Sequence, residues 1–209
     1  MFLMIDTRLI SLEEAHQLLA PYTPRLAACI RAGWSRWEEL GKESPKSQLP
    51  LRTSTRASFV YDHIVDAARL EFTGDTDVII ADDHGFLTLT IKQRVVLRFK
   101  KFRNDSLRTS GIPTAQQQRF ELQLQLPGMP PEATKLVAGY LLDEYQTSIA
   151  LMAVTCIDGP SLEWALDISD EAEPEDQVVE PIRPVQPSGP RIKPKTPAET
   201  GEGESSQGT

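Results

Sequence analysis

The chain has 209 residues, with 22 basic and 30 acidic side chains, a formal net charge of -8 and 40% hydrophobic residues. This length favours a single domain with an appendage, and the acidic balance argues against a domain that binds nucleic acid through a uniformly basic surface. The charge is uneven, because residues 169–209 hold nine acidic and four basic residues, whereas residues 1–168 have a net charge of only -3. Any binding of nucleic acid must therefore depend on a local basic patch.

The cysteines and the N-terminus indicate the compartment. Cys29 and Cys156 are too few for a four-ligand zinc site, and we expect two buried, reduced thiols. The first six residues lack the basic lead of a signal peptide, and no run approaches the roughly 18 apolar residues of a membrane span. We expect a soluble cytoplasmic protein with no membrane contact, no metal and no other cofactor.

Three helices are predicted in the N-terminal part of the chain. A Ser-Leu-Glu-Glu capping box at 11–14 opens the first, which ends near residue 20. A Thr-Pro pair opens the second, predicted over 23–41, and a glycine is expected to end it. Apolar residues at helical spacing predict the third helix over 54–73.

The stretch from 77 to 103 is the most regular part of the sequence. From Leu87 to Phe99 the odd positions are mostly apolar, and this period of two predicts a half-buried hairpin with a turn at Lys92-Gln93. Most even positions are polar or basic, so we expect a basic face that points to solvent. The residues of this basic face are Lys92, Arg94, Arg98, Lys100, Lys101 and Arg103.

Further strands complete a predicted sheet. They span residues 78–81, 120–126, 135–142, 148–156 and 162–168, although the glutamine run before residue 120 also suits the start of a helix. Short consecutive strands with tight turns favour an antiparallel meander. The predicted fold class is α+β, with the N-terminal helices packed on one face of the sheet.

The composition changes after Ile168. Residues 170–176 are acidic, residues 174–197 contain seven prolines, and no aromatic residue follows Trp164. Such a segment cannot bury enough apolar surface to offset its chain entropy. We therefore predict a single domain over 1–168 and a disordered tail over 169–209, acidic at first and then proline-rich.

The chain has no recognisable catalytic motif. It lacks a P-loop, a GxGxxG after a strand, a GxSxG and an HExxH. His16 and His63 lie on predicted helices, where a lone histidine is usually a surface or core residue. His84 follows Asp82 and Asp83, a set that suits either a hairpin turn or a site that binds a metal or moves a proton.

Part of the chain resembles a known group of proteins. The residues that carry the likeness are the run Leu136-Val-Ala-Gly-Tyr140, the run Val154-Thr-Cys156, Gly159 and Trp164. This pattern resembles small uncharacterised bacterial and phage proteins of two-gene toxin–antitoxin or phage-defence loci. The likeness covers about the last third of the predicted domain, implies no catalytic residue, and implies a partner protein such as a cognate toxin or antitoxin.

Three functions follow as hypotheses. The first is an interaction protein, and not an enzyme, which docks an acidic partner on the basic face. The acidic residues 170–176 of the same chain could occupy that face instead. The face could also be simply exposed to solvent, with no binding function. The second is a metal-independent ribonuclease-like toxin that uses His84, Arg94, Arg98 and Lys100. The third is a DNA-binding regulator whose hairpin enters the major groove.

Overall fold

A computed structural model describes residues 9–44, 51–83, 86–109 and 114–169 of the chain. These residues form an α+β fold, as predicted, and no described helix is both long and apolar enough to cross a membrane. The helices are α1 (Leu12–Leu19), α2 (Thr23–Glu43), α3 (Thr53–Phe72) and α4 (Ala115–Glu121). The strands are β1 (Val78–Asp83), β2 (Phe86–Ile91), β3 (Val95–Lys101), β4 (Thr134–Leu142), β5 (Ile149–Asp158) and β6 (Ser161–Asp167).

The six described strands form one sheet in sequence order, from β1 to β6. All neighbours are antiparallel except β3 and β4, which run parallel from the Val95–Thr134 pair to the Lys101–Tyr140 pair. The prediction of a largely antiparallel sheet is confirmed, and this parallel pair is the departure from a simple meander. Parallel neighbours cannot be joined by a tight turn, and the described residues between these two strands, 102–109 and 114–133, lie over one face of the sheet.

The three N-terminal helices cover the opposite face. The predicted capping box is present, since Ser11 Oγ accepts from the backbone N–H of Glu14 (3.2 Å) and the Glu14 carboxylate accepts from that of Ser11 (2.9 Å). Helix α2 runs two residues past its predicted end at Gly41. It crosses α3 closely at Gly33, where an added Cβ would lie 2.7 Å from the carbonyl oxygen of Val60.

The segment before α1 is hydrogen-bonded to strands β4 and β6 of the sheet. The backbone N–H of Ile10 donates to Thr134 Oγ1 (3.0 Å), and its carbonyl accepts from Trp164 Nε1 (2.9 Å). Both backbone groups are buried and satisfied, so this contact orients the helical layer on the sheet.

The crossover forms the second covered face. Its helix α4 is capped by Thr114, whose hydroxyl accepts from the N–H of Gln117 (3.2 Å), and it buries Phe120 against Phe102 and Val137. The predicted strand over 120–126 is therefore wrong, because a capped helix followed by loop occupies that position. The predicted tail lies outside the described residues, apart from Ser169.

Candidate functional site: a basic cluster beside a cavity

Arg98 is not on an open surface. Its side chain is only 2% exposed, and its guanidinium lies 4.4 Å from the ring centre of Phe120 and 5.4 Å from that of Phe86. The expected solvent-facing position of Arg98 is wrong, because the crossover with α4 covers this face of β3. Arg98 is therefore a buried positive charge, and its guanidinium cannot contact a large partner directly.

The other basic residues separate into two groups. Lys92 and Arg94 lie in the exposed β2–β3 turn, where the Lys92 ammonium is 3.7 Å from the Asp77 carboxylate. Lys100, Lys101 and Arg103, which we call the basic cluster, lie at the other end of β3. Six residues of extended chain separate Arg94 from Lys100, a distance of roughly 20 Å. The predicted continuous basic face is thus two separate patches.

The basic cluster is partly exposed, and its cations are free of ion pairs with the carboxylates that the structure describes. Lys100 and Lys101 are half-buried and Arg103 is exposed; within the described residues, no carboxylate forms an ion pair with any of the three. Burial lowers the pKa of Lys100, with a further contribution from the charge of Arg98. Burial also lowers the pKa of Lys101, helped by the charge of Arg56. These shifts mean that the fold holds the cations in a setting that disfavours their charge.

A cavity of about 280 Å³ lies between α3 and this end of the sheet. Its walls include Ser58, Tyr61 and Ile64 of α3, Phe86 of β2, Lys100 of β3 and Tyr140 of β4. The Lys100 ammonium lies 4.2 Å from the ring centre of Phe86, and Tyr61 Oη accepts from the backbone N–H of Leu87 (3.0 Å). A second hollow of about 300 Å³ adjoins it, and Lys101 lines both.

A buried polar network supports the cavity wall. The Glu121 carboxylate is 6% exposed and accepts from Gln117 Nε2 (2.9 Å) and Thr109 Oγ1 (3.2 Å), with Arg108 3.5 Å away. These bonds hold Thr109, another wall residue, and join the loop after β3 to α4. The burial of Glu121 was not predicted, because the alternation over 120–126 places it at a polar position of a predicted strand.

The histidine and cysteine predictions have different outcomes. His84 lies outside the described residues, and its neighbour Asp82 forms an ion pair with Arg69. Among the described residues no group of three His, Cys, Asp or Glu side chains is placed to hold a metal ion. Cys29 and Cys156 are buried free thiols, as expected, and burial raises the pKa of each to about 12.

Comparison with known proteins gives no indication of function. No protein-family model, no curated protein and no solved structure matches this chain. The sequence predicted the cations of the basic cluster but missed Ser58, Tyr61 and Phe86. A tyrosine within the apolar stripe of α3 was the available signal, since a buried tyrosine needs a partner for its hydroxyl.

Proposed function

We propose that this chain is an interaction protein that docks an acidic surface of a partner protein on the basic cluster. The observation that carries the proposal is that Lys100, Lys101 and Arg103 lie close together in the chain at one end of β3, and that no described carboxylate forms an ion pair with them. Partly desolvated cations of this kind gain energy when an opposing charge binds, since the desolvation has already occurred on folding.

The resemblance to two-gene loci identifies the first partner to test, namely the product of the adjoining gene. A cytoplasmic setting accompanies this proposal, and two buried free thiols support it. A toxin or antitoxin partner with an acidic docking segment fits the charge of the cluster.

The two alternatives have weaker support. A ribonuclease site built on Arg98 is disfavoured, because its side chain is buried beside the rings of Phe86 and Phe120 and cannot reach a phosphodiester. A DNA-reading hairpin needs Arg98 beside Lys92 and Arg94 on one accessible face. The residues that remain exposed in the β2–β3 turn are too few for a groove-binding ribbon.

The test compares charge removal at the two ends of β3. One variant carries Lys100→Gln, Lys101→Gln and Arg103→Gln, and the matched control carries Lys92→Gln and Arg94→Gln. We expect the dissociation constant for the co-expressed product of the adjoining gene to rise at least tenfold in the first variant and to stay unchanged in the second. The dissociation constant of the unmodified protein should also rise with salt concentration.

Two results would contradict the proposal. One is equal binding by both variants. The other is binding of duplex DNA or RNA, but not of the protein, with a loss of affinity in the control variant. Either result would move the functional surface away from the basic cluster.

A further inference from the structure

Two polar groups of the cavity wall, Lys100 and Tyr61, can donate hydrogen bonds to a ligand. Tyr61 Oη already accepts from the N–H of Leu87, so its own hydrogen is available to a ligand. Burial raises the pKa of Tyr61, which keeps the phenol protonated at neutral pH. Thr109 is already engaged, because it donates to Glu121 and accepts from Gln117. Lys100 and Tyr61 therefore favour a ligand that supplies acceptors.

Among the described wall residues, the charged groups are Lys100 and Lys101, and both are cations. The Lys100 ammonium packs on the face of Phe86, and the next cation on the same side of β3 is the buried Arg98. Glu121, the carboxylate that acts on Lys100 through space, is held by Gln117, Thr109 and Arg108 and does not line the cavity. An anion that enters would thus meet an unneutralised ammonium in a partly desolvated setting.

The remaining walls are apolar and the space is small. Ile64, Phe86 and Tyr140 provide carbon surface to the cavity walls. A volume of about 280 Å³ is at the lower end of small-molecule sites. It suits a single ring with one charged group and is too small for a dinucleotide or a folded peptide.

We propose that this cavity binds a small organic anion, with one carboxylate or phosphate monoester on a flat apolar body. The anionic oxygens pair with Lys100 and accept from Tyr61, and the body packs on Phe86 and Tyr140. This site goes beyond the docking function, because its occupant is a small molecule. It also holds if no protein docks on the basic cluster.

The experiment uses the full chain and three one-ring probes, namely benzoate, phenyl phosphate and the neutral benzamide, titrated by calorimetry. At least one anion should bind saturably with a dissociation constant of about 1 mM or lower, as expected for a ligand of this size. Benzamide should bind at least tenfold more weakly. The stronger of the two anions identifies the head group.

Variants locate the site and separate it from the docking proposal. Lys100→Met should weaken the anion at least tenfold, Lys100→Arg should largely restore binding, and Tyr61→Phe should weaken it threefold or more. Lys92→Met is the matched control. Arg103→Gln should leave probe affinity unchanged while it weakens protein docking, because Arg103 does not line the cavity.

Three outcomes would overturn the inference. They are no saturable binding of either anion up to about 10 mM, equal affinity for benzamide, or equal affinity of Lys100→Met and Lys92→Met. Circular dichroism of each variant shows that loss of binding is not loss of fold.

Discussion

The close crossing of α2 and α3 makes a sharp prediction about one glycine. A Cβ on Gly33 would lie 2.5 Å from Ile64 Cγ1, 2.7 Å from Val60 O and 3.0 Å from the backbone nitrogen of Ile64. A side-chain atom can rotate away, but two backbone atoms of α3 cannot. Gly33→Ala must therefore push the helices apart by several tenths of an ångström and loosen the packing between them.

The magnitude follows from two opposing effects. Alanine is favoured over glycine inside a helix by about 1 kcal/mol, whereas overpacking costs about 1–3 kcal/mol. The difference is a net loss, and we expect Gly33→Ala to lower the free energy of unfolding by up to about 2 kcal/mol. Gly41→Ala is the matched control, because Gly41 is in the same helix and only half-buried, and should raise it by about 0.5–1 kcal/mol.

Thermal and urea unfolding of the two variants check this prediction. For a domain of this size each kcal/mol corresponds to about 2–4 °C in Tm. The two identical substitutions should therefore shift Tm in opposite directions. A Gly33→Ala protein as stable as Gly41→Ala would show that the helices do not cross as closely as described.

Further predictions concern buried and strained residues. Arg98→Ala should lower the free energy of unfolding, measured in urea, by about 3–5 kcal/mol. Arg98→Met should lower it by only about 1–2 kcal/mol, because methionine keeps most of the volume and removes a buried charge. A loss below about 1 kcal/mol for Arg98→Ala would contradict the buried position. Gln93 has a φ of 58° in the β2–β3 turn, so Gln93→Gly should stabilise by about 0.5–1 kcal/mol, whereas Arg94→Gly should not. Trp164→Phe leaves the buried carbonyl of Ile10 without its donor and should cost about 1–3 kcal/mol; an unchanged urea midpoint would show that this bond does not contribute.

Local patterns predicted most of the elements. The capping box at Ser11, the apolar stripe of α3 and the alternation along β2 and β3 each depend on neighbours in sequence, and each predicted the correct element. The turn at Lys92-Gln93 was also correct, although both residues have positive φ without being glycine.

The incorrect predictions concern the connection between β3 and β4, because the sequence does not show which face of the sheet that connection covers. Alternation shows that β3 has one apolar and one basic side, but it does not show that the crossover with α4 covers the basic side. Arg98 is buried for that reason. The alternation over 120–126 was also misleading. Thr114 caps a helix that begins just before this stretch. The backbone of Lys135 is hydrogen-bonded to the side-chain amide of Gln123 and not to a neighbouring strand at this point.

The contact between Ile10 and Trp164 has a consequence for synthesis of the protein. These residues are 154 positions apart. At roughly 5–20 residues per second, a ribosome needs roughly 8–30 s to make the intervening chain. Helices α1, α2 and α3 are complete once residue 72 has been made, so for the rest of that interval they exist without the complete sheet that covers their apolar faces. The order of translation therefore presents to chaperones a surface that the finished fold hides.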